Sequence, residues 1–195
     1  MIKRLFGIIF SLFGIVFLFP IFLIVCILIK IDSFGPIFFL QKRVGLNGGI
    51  FKIIKFRTMR VNHKNSLTIT LENDVRITRI GKVLRKYKID EIPELINVLI
   101  GDMSFVGPRP DVPGYADLLK GNNRNILKLR PGITSRASIK YANEEKLLLD
   151  QEDPIAYNND VIFPDKVKMN LNYYENNNIW IDIKIIFATL YTLFE

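Results

Sequence analysis

The run from Leu5 to Ile29 holds 25 residues without a charge, bounded by Arg4 and Lys30. About 20 apolar residues span a hydrocarbon core of about 30 Å, so this stretch belongs in lipid and the rest of the fold must be built from its edge. A secretory signal peptide has a shorter apolar region, about 7–15 residues, and a small-residue cleavage site; this run has neither. Pro20 divides it. Proline lacks a backbone N–H and its ring clashes with the carbonyl four residues earlier, here that of Val16, so a kink or break is expected. The two arms, Leu5–Phe19 and Pro20–Ile29, would measure about 22 Å and about 15 Å at 1.5 Å per residue, and neither crosses alone. Lys3 and Arg4 precede the run and Lys30, Lys42 and Arg43 follow it. That symmetry suits two cytoplasmic ends, and a gently kinked, straight-through anchor is the alternative.

The whole chain has 195 residues, 49% of them hydrophobic, and a net charge of +8. This excludes a disordered or collagen-like chain and fits one compact unit with an appendage. Cys26 and His63 are the only residues of their kinds, which excludes an intrachain disulfide and a cysteine zinc site and argues against catalysis through a histidine base. Residues 1–140 carry 23 Lys and Arg against 9 Asp and Glu, whereas residues 141–195 carry 4 against 10. So basic a front calls for a polyanionic partner: nucleic acid, nucleotide phosphates or an anionic membrane leaflet.

Beyond the apolar run, Ile37–Leu40 and Gly49–Phe56 read as strands of a short hairpin turning at Gly45–Gly49. Residues 61–75 read as a polar loop. Ile77, Ile80, Val83, Leu84 and Tyr87 recur at helical spacing among six Lys and Arg, a basic amphipathic helix. A second helix begins near Asp90, since Pro93 is tolerated in a first turn, and should stop at Gly101. Gly107-Pro-Arg-Pro110 and Arg130-Pro-Gly-Ile-Thr134 are stiff loops flanking a helix over Tyr115–Lys128, and residues 141–178 are acidic and Asn-rich with little periodicity. The apolar tail Ile179–Phe194 is long enough for a helix lying on the membrane or on the domain. Trp180 is an interfacial anchor or a core residue, Cys26 an apolar packing residue, His63 a loop residue, and Asp102 a cap for a neighbour. The expected class is α/β: a membrane helix over residues 1–31, then a mainly helical domain over residues 32–195 with a short β-hairpin and interfacial helices.

Asp90 and Glu91 follow six basic residues within thirteen and precede Arg109 in its rigid loop. At a helix N-terminus a carboxylate is stabilised by the macrodipole, so Asp90 should be ionised, as a nucleophile must be. A carboxylate that attacks phosphorus gives an acyl phosphate, and Glu91 beside it could hold magnesium, which needs one or two carboxylates plus substrate phosphate oxygens. Taken alone, an Asp-Glu pair opening a helix is a cap. The basic strip, the two arginine-bearing loops and the apolar run together favour phosphate chemistry. Nucleic acid would call for aromatic residues interleaved with the cations, and the basic helix offers only Tyr87.

Phe51-Lys-Ile-Ile-Lys-Phe-Arg-Thr-Met59, Lys88-Ile-Asp-Glu-Ile-Pro-Glu-Leu-Ile-Asn-Val-Leu-Ile-Gly-Asp-Met-Ser-Phe-Val-Gly-Pro-Arg-Pro110 and Arg130-Pro-Gly-Ile-Thr134 resemble, in order, the bacterial sugar transferases called monotopic phosphoglycosyl transferases, in their small form. The resemblance implies transfer of a sugar-1-phosphate from a UDP-sugar to polyprenol (undecaprenyl) phosphate with release of UMP, the first step of a surface glycan. It makes Asp90 the nucleophile that carries the phosphosugar and Glu91 the ligand of Mg2+, with Lys55 beside them. Arg85 and Arg109 would hold phosphates, with Arg57 and Arg130 as further phosphate contacts. The family's N-terminal segment is a re-entrant helix broken at a proline, matching Pro20, with the catalytic domain on the cytoplasmic face of the bacterial inner membrane. Phe19 stands where many members have Ser, and Ser135-Arg-Ala-Ser138 replaces their Gly-containing continuation. Partners implied are the two substrates, the membrane and downstream glycosyltransferases, with room for a homodimer and no nucleic acid. The competing reading is a membrane-anchored, non-catalytic protein that binds anionic lipid or glycan-assembly partners.

Overall fold

A computed structural model describes residues 2–61 and 75–192. His63 and most of the expected 61–75 loop lie outside the described residues. The apolar run forms a single helix, α1 (Ile2–Asp32), helical on both sides of Pro20, so the proline sits inside one element and does not end it. One face of α1 is covered along its length. Gly7, Ser11, Val25 and Ile29 are buried, and Gly14, Leu18 and Phe22 on the same stripe are half-buried, a run of three- and four-residue steps that keeps a stripe on one side of a helix. The other faces expose Phe10, Phe13, Val16, Phe17 and Phe19. This is far more contiguous apolar surface than a soluble monomer leaves in water.

The hairpin lies where expected: β1 (Phe38–Val44) pairs antiparallel with β2 (Ile50–Phe56), Phe39 opposite Lys55. The turn is closed by Asn47 and Gly48 in left-handed conformation, φ 56° and 81°. Helix α2 (Arg79–Lys86) begins at Thr78, whose hydroxyl accepts the Gly81 N–H at 2.9 Å. Gly81 lies so close to β2's continuation that a Cβ there would overlap the Thr58 carbonyl. Val25 and Ile29 of α1 pack with Phe56 and Leu84 under this corner, anchoring the C-terminal half of α1.

Helix α3 (Glu94–Ile100) takes the N-terminal half of α1, with Gly7 against Val98 and Gly14 against Leu95. It stops at Gly101, φ 102°, as expected. Asn97, fully buried, joins α3 to β2: its Oδ1 accepts the Ile54 N–H at 2.9 Å and its Nδ2 donates to the Lys52 carbonyl at 2.8 Å. One side chain thus completes the free edge of β2 as a neighbouring strand would.

Strands β3 (Ser104–Val106) and β4 (Gly132–Thr134) pair in parallel. Beyond them the backbones of the two proline-stiffened loops touch: Gly132 N–H donates to the Pro108 carbonyl at 2.9 Å and Gly107 N–H to the Thr134 carbonyl at 3.0 Å. A Cβ at either glycine would overlap the other loop's backbone, so both positions require glycine.

Two segments differ from expectation. Residues 115–128 form 3-10 turns, Ala116–Leu118 and Gly121–Lys128, and not an α-helix. Gly121 at φ 56° interrupts the run, and the asparagines after it compete for backbone bonds. Residues 141–178, which showed little periodicity, are largely helical: α4 (Arg136–Lys140) leads into α5 (Glu144–Leu149) and α6 (Pro154–Tyr157), and a π turn over Asn158–Ile162 continues into α7 (Phe163–Asn176). Asp153 caps α6, accepting the Ile155 and Ala156 N–H groups at 3.0 Å. Ile162, Val167, Asn170 and Tyr173 carry the buried side. Helix α8 (Ile179–Thr192) covers β3 and β4 through Ile181, Ile185 and Ile186 and exposes Trp180, Phe187 and Tyr191.

Asn97→Ala removes both bonds to β2 and strands a buried N–H and carbonyl. We expect a loss of about 2–3 kcal/mol in denaturant unfolding of the detergent-solubilised protein; a loss under about 0.5 kcal/mol would show that the α3–β2 joint does not depend on it.

Candidate active site

Between α2 and α3 the chain reverses at Lys88, one of two non-glycine residues at positive φ among those described. The reversal turns the 3-10 segment Ile89–Glu91 under the hairpin and brings Asp90 and Glu91 against Lys55. Lys55 Nζ lies 2.7 Å from Glu91 Oε1 and 3.2 Å from Glu94 Oε1. Arg109 Nη2 reaches the same Glu91 oxygen at 2.6 Å from the loop that Gly107 and Gly132 lock. Burial alone would push Glu91 up; Arg109 and Lys55 outweigh it and hold that carboxyl well below the usual range. Glu94, 2% exposed, goes the other way, pushed up by burial and by the Glu91 charge more than Lys55 and Arg109 pull it down.

Asp90 is buried, and its Oδ1 has no hydrogen-bond partner. Its carboxyl is raised above the ordinary value, first by burial and then by Glu91, against the pull of Lys55, Arg85 and Lys88. The expected stabilisation by a helix N-terminus does not dominate. Asp90 lies before Pro93 and outside the first turn of α3, which begins at Glu94, where the dipole has fallen away. The three cations favour the anion instead. Arg85 also donates from Nε to Thr58 Oγ1 at 3.0 Å, which orients it.

The structure therefore brings Asp90, Glu91, Lys55, Arg85 and Arg109 together and leaves two expected phosphate contacts elsewhere. Arg57 is buried against the C-terminus of α1: its guanidinium donates to the Ser33 carbonyl at 2.7 Å, the Phe34 carbonyl at 2.6 Å and Ser33 Oγ at 2.9 Å. Carbonyls at and beyond a helix end lack intrahelical donors, so Arg57 is a cap. Arg130 donates from Nε to the Gly101 carbonyl at 3.0 Å, at the far end of α3 from Glu94. The contact expected of Asp102 is a weak one, from Asn97 Nδ2 at 3.5 Å. Sequence reasoning missed Glu94, although it stands one helical turn after Glu91. It also missed Arg43, which donates to the Pro110 carbonyl at 3.0 Å and to Gln41 Oε1 at 2.6 Å and steadies the Arg109 loop. Nothing local in the sequence marks Arg43.

Among the described residues no group of three or more His, Cys, Asp or Glu could hold a metal by itself. Glu91 Oε1 is taken by Lys55 and Arg109, and the unpartnered oxygen of Asp90 lies on the adjacent residue. Such a donor set, all carboxylate oxygen and incomplete without more ligands, fits magnesium completed by substrate phosphates better than a metal needing a full protein cage. Phosphoryl oxygens would find Lys55, Arg85, Lys88 and Arg109 already gathered around one place.

A buried carboxylate with one unpartnered oxygen in the field of several cations, on a domain seated along an apolar helix, is a site suited to phosphoryl chemistry at a lipid surface. A sequence profile of the bacterial sugar transferases matches residues 1–195, and the chain belongs to that family. A UDP-N-acetylgalactosamine-undecaprenyl-phosphate N-acetylgalactosaminephosphotransferase of Aeromonas hydrophila is 35% identical over 98% of this chain and 43% of its own length. A UDP-glucose:undecaprenyl-phosphate glucose-1-phosphate transferase of Klebsiella pneumoniae is 37% identical over 97% of this chain and 39% of its own. Exopolysaccharide production protein ExoY of Sinorhizobium fredii is 33% identical over 96% of this chain and 83% of its own. The chain thus spans about two fifths of the length of the first two relatives.

Asp111, at the end of the Arg109 loop, is pushed up to about 6 by burial, against the pull of Lys166 and Arg43. The folded state binds this proton more tightly than the unfolded chain, so the cost to stability grows as pH rises from about 4 to about 6 and is constant above. Asp111→Asn should therefore stabilise the fold above pH 6 by on the order of 1–2 kcal/mol, allowing for partial exposure, read in denaturant unfolding at several pH values, with the gain fading towards pH 4. An equal gain at both ends of the range would refute the burial argument.

Proposed function

We propose that this protein transfers a sugar-1-phosphate from a UDP-sugar to undecaprenyl phosphate, releasing UMP, in two displacements at Asp90. The observation that carries the reading is the Asp90 carboxylate oxygen without a hydrogen-bond partner, within the field of Lys55, Arg85 and Lys88. In the first step that oxygen attacks the β-phosphorus of the donor, the bond to the α-phosphate oxygen breaks, and UMP leaves. In the second, a phosphate oxygen of the lipid acceptor attacks the same phosphorus, the bond to Asp90 breaks, and the carboxylate is restored. Each displacement forms one P–O bond and breaks one. Lys55 and Arg109 hold Glu91 in place, and Arg109, Arg85 and Lys88 offset charge on the phosphoryl oxygens. Magnesium at Glu91, when bound, would neutralise the diphosphate.

The acceptor is a lipid, so the site must lie at interface depth. Both ends of α1 are tied to the one domain, Arg4 to the Val98 and Leu99 carbonyls and Asp32 to the Ile80 N–H at 3.0 Å. A helix crossing the bilayer would carry one of those ends to the far side. We therefore read α1 as seated along one face of the bilayer, the cytoplasmic face of the inner membrane, where nucleotide sugars are made. The relatives' names support the lipid carrier and leave the sugar open, since they name different donors.

Purified protein with Mg2+, undecaprenyl phosphate and a panel of UDP-sugars should release UMP, and without acceptor one donor should give at most one UMP per protein. Asp90→Asn should lose about a thousandfold or more. Undiminished turnover in that variant would overturn the covalent route; no release from any donor by folded protein would overturn the transferase reading.

A further inference from the structure

A second cluster of cations lies at the other end of α3. A cavity of about 140 Å³ is lined by Lys3 and Arg4 of α1, Lys128 and Arg130 of the loop before β4, and Tyr173 and Asn177 at the end of α7. Among the described residues the only ion pair made by any of these four cations is Lys3 to Asp182, at 2.9 Å. Arg4 donates to the Val98 and Leu99 carbonyls of α3 and Arg130 to the Gly101 carbonyl just beyond it, which fixes them without neutralising them. Lys128 rests above the Tyr174 ring, 5.8 Å from its centroid. Arg4, Lys128 and Arg130 therefore bring to the cavity positive charge that no ion pair among the described residues answers.

Its surroundings say what kind of anion fits. Ile2 and Leu5, which flank Lys3 and Arg4 on the first turns of α1, are 74% and 61% exposed, and Ile100, next to the Gly101 whose carbonyl Arg130 meets, is 61% exposed. A free nucleotide has no use for exposed apolar neighbours, and the cavity is well under the roughly 300 Å³ at which ordinary small-molecule pockets begin. A phosphate headgroup fits inside while acyl chains stay out on the apolar side chains. We propose that this cavity binds the phosphate of an anionic phospholipid of the bilayer, at a position separate from the Asp90 site. The two sites lie at opposite ends of α3, whose seven residues span about 10 Å. The proposal rests on the membrane seat of α1 and not on the transfer reaction.

The full chain, stripped of lipid in detergent, is titrated with short-chain phosphatidylglycerol, phosphatidylcholine or inorganic phosphate, and binding is read from the melting temperature. Phosphatidylglycerol should bind at least about fivefold more tightly than either of the others. Lys128→Gln with Arg130→Gln should remove that preference while leaving phosphatidylcholine binding unchanged. Because Arg130 also caps α3, Lys128→Gln alone serves as the second variant and should weaken phosphatidylglycerol at least about twofold. Asp90→Asn should bind it as the wild type does. Equal binding of inorganic phosphate would mean a site for any phosphate and overturn the lipid assignment. Unchanged phosphatidylglycerol affinity in Lys128→Gln would overturn the cavity. Loss of binding in Asp90→Asn would place the lipid phosphate at the Asp90–Glu91 dyad and overturn the separate site. UMP release is not read, so failure here leaves the transferase reading standing, and the reverse also holds.

Discussion

The Lys55 ammonium sits between two buried carboxylates, 2.7 Å from Glu91 and 3.2 Å from Glu94, and the geometry of the dyad follows from that bridge. Glu91 and Glu94 are one helical turn apart, so a single cation can answer both only if β2 is held at a set height against α3. Asn97 sets the height through the Lys52 carbonyl and the Ile54 N–H. Burying so much charge is costly even when paired. Arg109 removes part of the cost at Glu91, and none of the described hydrogen bonds does so for Asp90 Oδ1 or Glu94 Oε1. What is left is a site whose charges are already oriented before any ligand arrives. That is the condition under which electrostatic stabilisation of a transition state needs no further reorganisation.

The same economy of polar groups shapes the membrane segment. α1 has no polar face to offer water, yet its ends are held by a dense set of polar contacts: Lys3 and Arg4 at one end, Arg57, Lys30 and Asp32 at the other. Its buried stripe uses small residues, Gly7, Ser11 and Gly14, where α3 comes close, and larger ones, Phe22, Val25 and Ile29, where the hairpin leaves room. The apolar surface left over, together with Trp180, Phe187 and Tyr191 of α8, is a platform for lipid. Pro20 falls within this platform, on an exposed face, where the backbone group it leaves unpaired has neighbouring helix turns and not the domain core around it.

Much of this was legible from local pattern. The hairpin, the basic helix, the stop at Gly101 and the dyad all announce themselves within a few residues of the chain, because turn glycines, helical spacing and adjacent acids are local signals. The helices of residues 141–178 were not, since their buried side mixes Asn170 and Tyr173 with Ile162 and Val167, and a π turn shifts the phase between α6 and α7. Nor could sequence separate the arginines. Arg57 and Arg130 stand in the same motifs as Lys55 and the Pro-Gly-Ile-Thr loop, but each meets a carbonyl at a helix end first. Arg109 meets Glu91. The residue type is the same; the partner is decided by contacts made across the fold, between Arg57 and Ser33 or Arg130 and Gly101.

The altered ionisation of Asp90 has a similar origin. A helix N-terminus in sequence promised a stabilised carboxylate, but the segment after Lys88 is a 3-10 turn followed by Pro93, so Asp90 stands apart from the α3 dipole and inside the core. Burial then raises its proton affinity while Lys55, Arg85 and Lys88 lower it. In the two displacements proposed for Asp90, that balance would favour attack on a phosphate held nearby. Burial makes the anion more basic than an exposed carboxylate, and the cations that favour it are those that a phosphoryl group would share. A carboxylate capping a surface helix would carry no such burial cost; here the Lys55 bridge and the two glycines that hold Arg109 in reach keep the buried charges paired.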